Sequence, residues 1–345
     1  MRFEQALPHL RITLAAPEGP VAEVIERDAR QAMTSYPGMA LASAIFGYAV
    51  EDDDGGWRLL YLRDEYPQMA RTGLAQHFFL AAKDASDAGD DDTAAQYSAA
   101  EELLYRHDPD ELSVAGARYR IVRAQPFLRM GDDGPEPPRP TDLDTPPPGE
   151  GVTWEQMRNV VIIPPPAVGP TGAALMIELA GGLVPVAGAA STEMRAEAKQ
   201  ATRTHPGIAL LPNLFAIVEK PLGGGWQNTF SLERSPSEAR ERLARHFRPS
   251  FSAEELDRMP EELRRQVIEE SEAHLAGEQA RQAHEAAAQT LLHDHRNEID
   301  VAGHRYRITR AEIAIRLGPD GPEPPRPTDP DPRYQPITDD DGQEG

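Results

Sequence analysis

The sequence predicts an α+β protein made by tandem duplication of one βαββααββ unit, with antiparallel sheets, a pseudo-two-fold relation between copies and a proline-rich arm after each. Two observations carry this. Residues 114–144 and 301–331 align without a gap and share 22 of 31 residues, a degree of self-similarity that marks an internal repeat. Upstream blocks align as well, with the offset changing from 165 to 169 to 187 along the chain.

Each element has its own signal. Ile12-x-Leu14 and Pro20-Val21-Ala22 match Ile177-x-Leu179 and Pro185-Val186-Ala187, and read as a short strand entering a helix. That helix stops near Ser35 or Thr204, because Pro37 and Pro206 push the residue before them out of helical geometry. Two strands then flank the turns at Gly55-Gly56 and at 223–225, with Trp57 and Trp226 opening the second strand, as in a hairpin. Ser235-Pro236-Ser237-Glu238 begins the next helix as a capping box with proline at its first turn. A further helix covers 93–107, or the longer 252–293. Strands follow at 112–114 and 118–122, around Gly116. The arms at 132–148 and 319–336 are too rich in proline for a sheet interior and are expected to run extended. The expected organisation is therefore 1–144 for the first unit, 145–175 for a proline-rich linker, 176–331 for the second unit and 332–345 for a disordered acidic tail. Residues 160–190 are read as linker, with a β-branched strand at 160–163, followed by a core strand.

Composition limits the function classes. With 35 basic and 57 acidic residues the formal charge is −22, which opposes nucleic-acid binding and suits a basic partner. There is no cysteine, so thiolate metal sites and cysteine nucleophiles are excluded. The N-terminus lacks a secretory apolar core and the apolar stretch 160–190 is broken by prolines, so a cytoplasmic protein without a membrane span is expected.

Three features invite chemistry. His77 and His246 lie on apolar helix stripes beside Phe78 and Phe247; they read as boundary histidines rather than general bases. Arg118, Arg120, Arg123 and Arg129, repeated as Arg305, Arg307, Arg310 and Arg316, are candidate anion ligands, since guanidinium forks match phosphate and carboxylate. Five acids stand with five arginines in each 31-residue segment, so internal ion pairing is the favoured alternative. The arm is either a ligand for a partner's aromatic groove or, the preferred reading, a strap on its own unit or exchanged onto the other. His293-Asp294-His295 reads as a solvated helix end, and no Walker A, G-x-S-x-G or G-x-G-x-x-G element occurs.

The R-Y-R-I-x-R-A strand followed by G-x-D-G-P-E-P-P-R-P-T-D resembles an uncharacterised actinomycete family of internally duplicated proteins. The resemblance spans nearly the whole chain, implies a bacterial origin and carries no catalytic residue. The expected function is a non-enzymatic binding or adaptor protein that engages a basic macromolecular partner in the groove between copies, without cofactor or metal. An anion or nucleotide binder using the arginine strands is the alternative.

Overall fold

The computed structural model describes residues 19–53, 55–145, 160–162, 169–183, 190–228, 232–248, 258, 260–261 and 278–332. Helix α1 (Pro20–Ser35) carries proline in its first turn and ends one residue before Tyr36-Pro37. Strands β1 (Gly38–Leu41), β2 (Ile45–Glu51) and β3 (Trp57–Asp64) follow. The helices α2 (Pro67–Asp87) and α3 (Asp91–Arg106) form a hairpin; the Asp90 carboxylate caps α3 by accepting from Thr93 N at 3.1 Å. Next come β4 (Glu111–Val114), the long β5 (Ala117–Gly131), the two-residue β6 (Gly134–Pro135) and β7 (Val160–Ile162).

The C-terminal half follows, opening with two helices. It contains α4 (Pro170–Gly182), α5 (Thr192–Thr204), β8 (Gly207–Leu210), β9 (Leu214–Pro221), β10 (Gln227–Asn228), α6 (Pro236–His246), α7 (Glu278–His293), β11 (Glu298–Val301), β12 (His304–Gly318) and β13 (Gly321–Pro322). Ser235 Oγ accepts from Glu238 N at 3.2 Å, as the capping box requires.

Several expectations need correcting. Residues 170–182 form a helix rather than linker and core strand, because Pro170 supplies a helix start and the apolar run that follows packs in the centre of the molecule. Three strands, not two, follow α1. The arginine strand expected at 118–122 runs from 117 to 131. The strand expected at 12–14 and the helix start at Ser252 lie outside the described residues.

Among the described residues all strands belong to one sheet, in the order β10-β9-β12-β5-β2-β3-β7, with the short strands added along β5 and β12. Its centre is the antiparallel contact of the two long strands, where Ala124 faces Ile315, Pro126 faces Ile313 and Leu128 faces Ala311. Pro126 tolerates this central place because the carbonyls of the Pro126–Ile313 pair point outward, accepting from Ala42 N (3.0 Å) and Leu211 N (2.9 Å). The missing N–H therefore costs β5 no bond to β12.

Side-chain alternation sorts the cores. On one face α2 and α3 cover Tyr119 and Ile121, α6 and α7 cover Tyr306 and Ile308, and α4 lies between them over Phe127 and Ala314. On the other face Trp57, Leu59, Val122 and Ile162 meet Leu211, Ile313, Ile315 and Leu317, joining the two halves in one core.

Candidate functional site

The arms are exchanged. Glu136 donates its N–H to Arg129 O of its own strand and accepts from Arg310 N of the other half, both at 2.9 Å. Glu323 does the same with Arg316 O and Arg123 N, again at 2.9 Å. Farther along, Asp142 and Asp144 of the first arm reach Arg310 (3.3 Å) and Arg240 (2.6 Å). Asp329 and Asp331 of the second reach Arg123 (3.0 Å) and Arg71 (2.6 Å).

Each arm enters the other half over a tryptophan. The Arg120 guanidinium stacks 4.8 Å from the Trp57 ring centre and donates to the carbonyls of Asp320 (2.7 Å) and Pro322 (3.1 Å). Arg307 stacks 4.9 Å from Trp226 and donates to Pro135 O at 3.0 Å. Both crossings need glycine, because Gly321 and Gly134 have φ of +109° and +113° and a Cβ on either would come within 2.6 Å of the tryptophan Cε2.

This geometry disposes of most of the arginines as free anion ligands. Arg118 and Arg120 are held by Glu111 and Asp320 at 2.5–2.8 Å. Arg129 pairs with Glu178 at 2.5 Å, Arg305 with Asp300 at 2.8 Å and Arg307 with Glu298 at 2.5 Å. Arg310 pairs with Asp142 and Glu312, and Arg123 with Asp329. Arg316 differs, since no ion pair involves it among the described residues: only its Nη2 is bonded, to Leu179 O (3.4 Å) and Ala180 O (3.0 Å), while Nε and Nη1 are buried without a partner. Burial lowers its pKa to about 10.

His77 and His246 are half-buried, each within 6.4 Å of the centres of neighbouring aromatic rings: Tyr48, Phe78 and Tyr119 for the first, Phe247 and Tyr306 for the second. Among the described residues no cluster of three histidine, aspartate or glutamate side chains is placed to hold a metal, and no helix is long and apolar enough to cross a membrane.

A cleft opens elsewhere, where the second arm meets the first half. It encloses about 460 Å³ and is lined by Asp110, Glu111, Arg120, Thr204, His205, Gly318, Pro319, Asp320 and Pro324. Its three carboxylates are ion-paired, Asp110 with Arg71 and Glu111 and Asp320 with Arg118 and Arg120. The hydrogen bonds from Arg118 and Arg120 hold the Asp320 carboxyl far below the usual carboxylate range. Burial lowers the His205 pKa, which keeps the ring neutral near pH 7, and its Nδ1 lies 2.9 Å from the Thr204 hydroxyl. The position aligned with His205 in the first half is Tyr36. Sequence reasoning passed over His205 because it follows a helix end with no motif around it; the Tyr-Pro-Gly to His-Pro-Gly difference between aligned blocks was its one signal.

These features define an α+β protein built on one antiparallel sheet, closed by two exchanged arms. The chain belongs to DUF5954, a family of unknown function whose model matches residues 19–332. No curated protein and no solved structure matches it.

Proposed function

We propose that the chain is a tandem duplication acting as a non-enzymatic binding protein, and that it takes a basic segment of a macromolecular partner in the cleft between its halves. The duplication reading is supported by the register. Residues aligned at an offset of 187 exchange places across the β5–β12 contact, so a pseudo-two-fold axis passes through the Pro126–Ile313 pair. In this reading 1–144 and 176–331 are the two units, interlocked by their arms, and the protein works in the cytoplasm.

The observation that carries the binding reading is the exposure of the cleft's carboxylates. Asp110 is paired with Arg71, and Glu111 and Asp320 with Arg118 and Arg120, yet the side chains of these acids keep between 37% and 69% of their surface exposed, so they retain lone pairs for an incoming ammonium or guanidinium. The formal charge of −22 adds a long-range attraction of the same sign. An enzymatic reading gains little from His77 and His246, whose neighbours are aromatic rings.

The test is hydrogen exchange of the full chain with and without a lysine- and arginine-rich peptide, with a glutamate-rich peptide as control. New protection concentrated at 110–111, 204–205 and 318–324, and reduced in Asp110→Asn/Asp320→Asn, is the expected result. Protection spread evenly over acidic surface would remove the cleft from consideration.

A further inference from the structure

We propose that Arg316 is the anchor of a buried site for one small monoanion, of the halide or carboxylate class, at the centre of the sheet where α4 crosses it. The site is distinct from the acidic cleft and does not depend on it. Arg316 is 2% exposed, yet two of its three guanidinium nitrogens lack a partner, and unpaired buried donors are rare because they lose water without replacing it. Those nitrogens belong to a side chain that lines a narrow cavity with Arg123, Gln125, Leu183, Ala314, Glu323 and Arg326.

The charge balance identifies the missing partner. Around Arg316 stand three arginines (Arg123, Arg316 and Arg326) against two acids, Glu323 and Asp329, which already bind Arg326 and Arg123 at 2.6 and 3.0 Å. One positive charge is left over. The aligned surroundings in the other half contain Arg129, Arg139 and Arg310, but their acids are Glu136, Asp142, Glu312 and Glu178. Two changes make the difference: Glu312 corresponds to Gln125, and Glu178, which neutralises Arg129, aligns with Thr13. Where β12 carries the Glu312 carboxylate, β5 carries the Gln125 amide. A buried charge without a counter-charge is strongly unfavourable, and a bound anion supplies the counter-charge that Arg129, the residue aligned with Arg316, takes from Glu178.

Size restricts the ligand. As the lining side chains stand, the space beside Arg316 is too narrow for even a water-sized body, so an ion enters only when a lining side chain gives. A single halide or formate-sized ion is admitted on those terms, whereas a nucleotide is not.

The experiment follows the thermal midpoint of the full chain at constant ionic strength while sodium gluconate, whose anion is too bulky for the cavity, is replaced by chloride in one series and formate in another. A saturable rise is expected, about 2–4 °C per tenfold concentration above the dissociation constant; the stronger series identifies the anion. Gln125→Glu, which places a carboxylate where Glu312 stands in the other half, is expected to abolish the dependence. Crystals soaked in bromide supply a readout that needs no variant, an anomalous peak in contact with Arg316 Nε or Nη1. A midpoint that does not distinguish chloride or formate from gluconate, a rise that Gln125→Glu retains in full, or crystals without that peak would overturn the proposal.

Discussion

Gly321→Ala tests whether the exchanged arm is held over Trp57 as described. At φ of +109° an alanine is strained whatever its surroundings, at about 1–3 kcal/mol. Its Cβ would also lie 2.6 Å from Trp57 Cε2 and 3.1 Å from Arg120 Nη1. Trp57 cannot retreat cheaply, because it is 3% exposed and shares its core cluster with Leu59 and Ile162, so overpacking adds about 1–3 kcal/mol. The sum is about 2–6 kcal/mol, against about 1–2 kcal/mol for Gly116→Ala, where φ is +81° and nothing lies within 4 Å of the added Cβ. Urea denaturation of both variants followed by tryptophan emission makes the comparison. If Gly321→Ala is no more destabilising than Gly116→Ala, the arm does not close over Trp57 and the exchange is wrongly drawn.

Three further outcomes are expected. Asp329→Asn leaves Arg123 buried without its carboxylate and is expected to cost about 3–5 kcal/mol, whereas Glu102→Gln, which removes an exposed helix pair with Arg106, costs under about 1 kcal/mol; chemical denaturation ranks them. Burial raises the Asp64 pKa from 3.8 to about 6, so the folded state binds a proton that the unfolded state releases. Stability from this group is therefore full below about pH 4 and falls as pH rises through 6; thermal midpoints of Asp64→Asn against wild type across pH 4–7 check the sign, the variant lacking that decline. Ser235→Ala removes the hydroxyl that accepts from Glu238 N in α6 and is expected to cost about 1 kcal/mol, measured as a change in urea midpoint at unchanged slope.

The local signals in the sequence were accurate where one residue type decides the backbone. Proline fixed the ends of α1 and α5 at Ser35 and Thr204, and Ser235-Pro236 fixed the start of α6. The strand expected at 118–122 continues to 131 through Pro126. A proline argues against a central strand, but here its lost N–H faces away from the neighbouring long strand, a fact only the register reveals. The arginine pairing was legible as composition but not as geometry. Five arginines and five acids in each segment are neutral whether the arm folds back or crosses over, and the two segments are so alike that both outcomes bring the same residue types together. Glu178 and Glu312, which separate the two arginine basins, lie on α4 and on the unanticipated part of β12, so the odd status of Arg316 could not be read.

The exchange also decides how the two halves share stability. Arg71, Arg120 and Arg123 of the first half take carboxylates or carbonyls from 320–331, and Arg240, Arg307 and Arg310 of the second take theirs from 135–144. Unfolding one half alone would withdraw its arm and leave buried guanidinium groups such as Arg123 unpaired in the half that stayed folded, a penalty of several kcal/mol on the order of a broken buried ion pair. It would also expose the core that Val122 and Ile162 share with Ile313 and Ile315. Both terms act in the same direction, so neither half is a stable partner for an unfolded other. Length alone would allow two independent domains; the crossed arms and the common sheet make the chain one cooperative unit. Urea curves followed by tryptophan emission and by far-ultraviolet circular dichroism are accordingly expected to coincide in a single transition, and two resolved transitions would mean that the arms contribute less than their buried partners require.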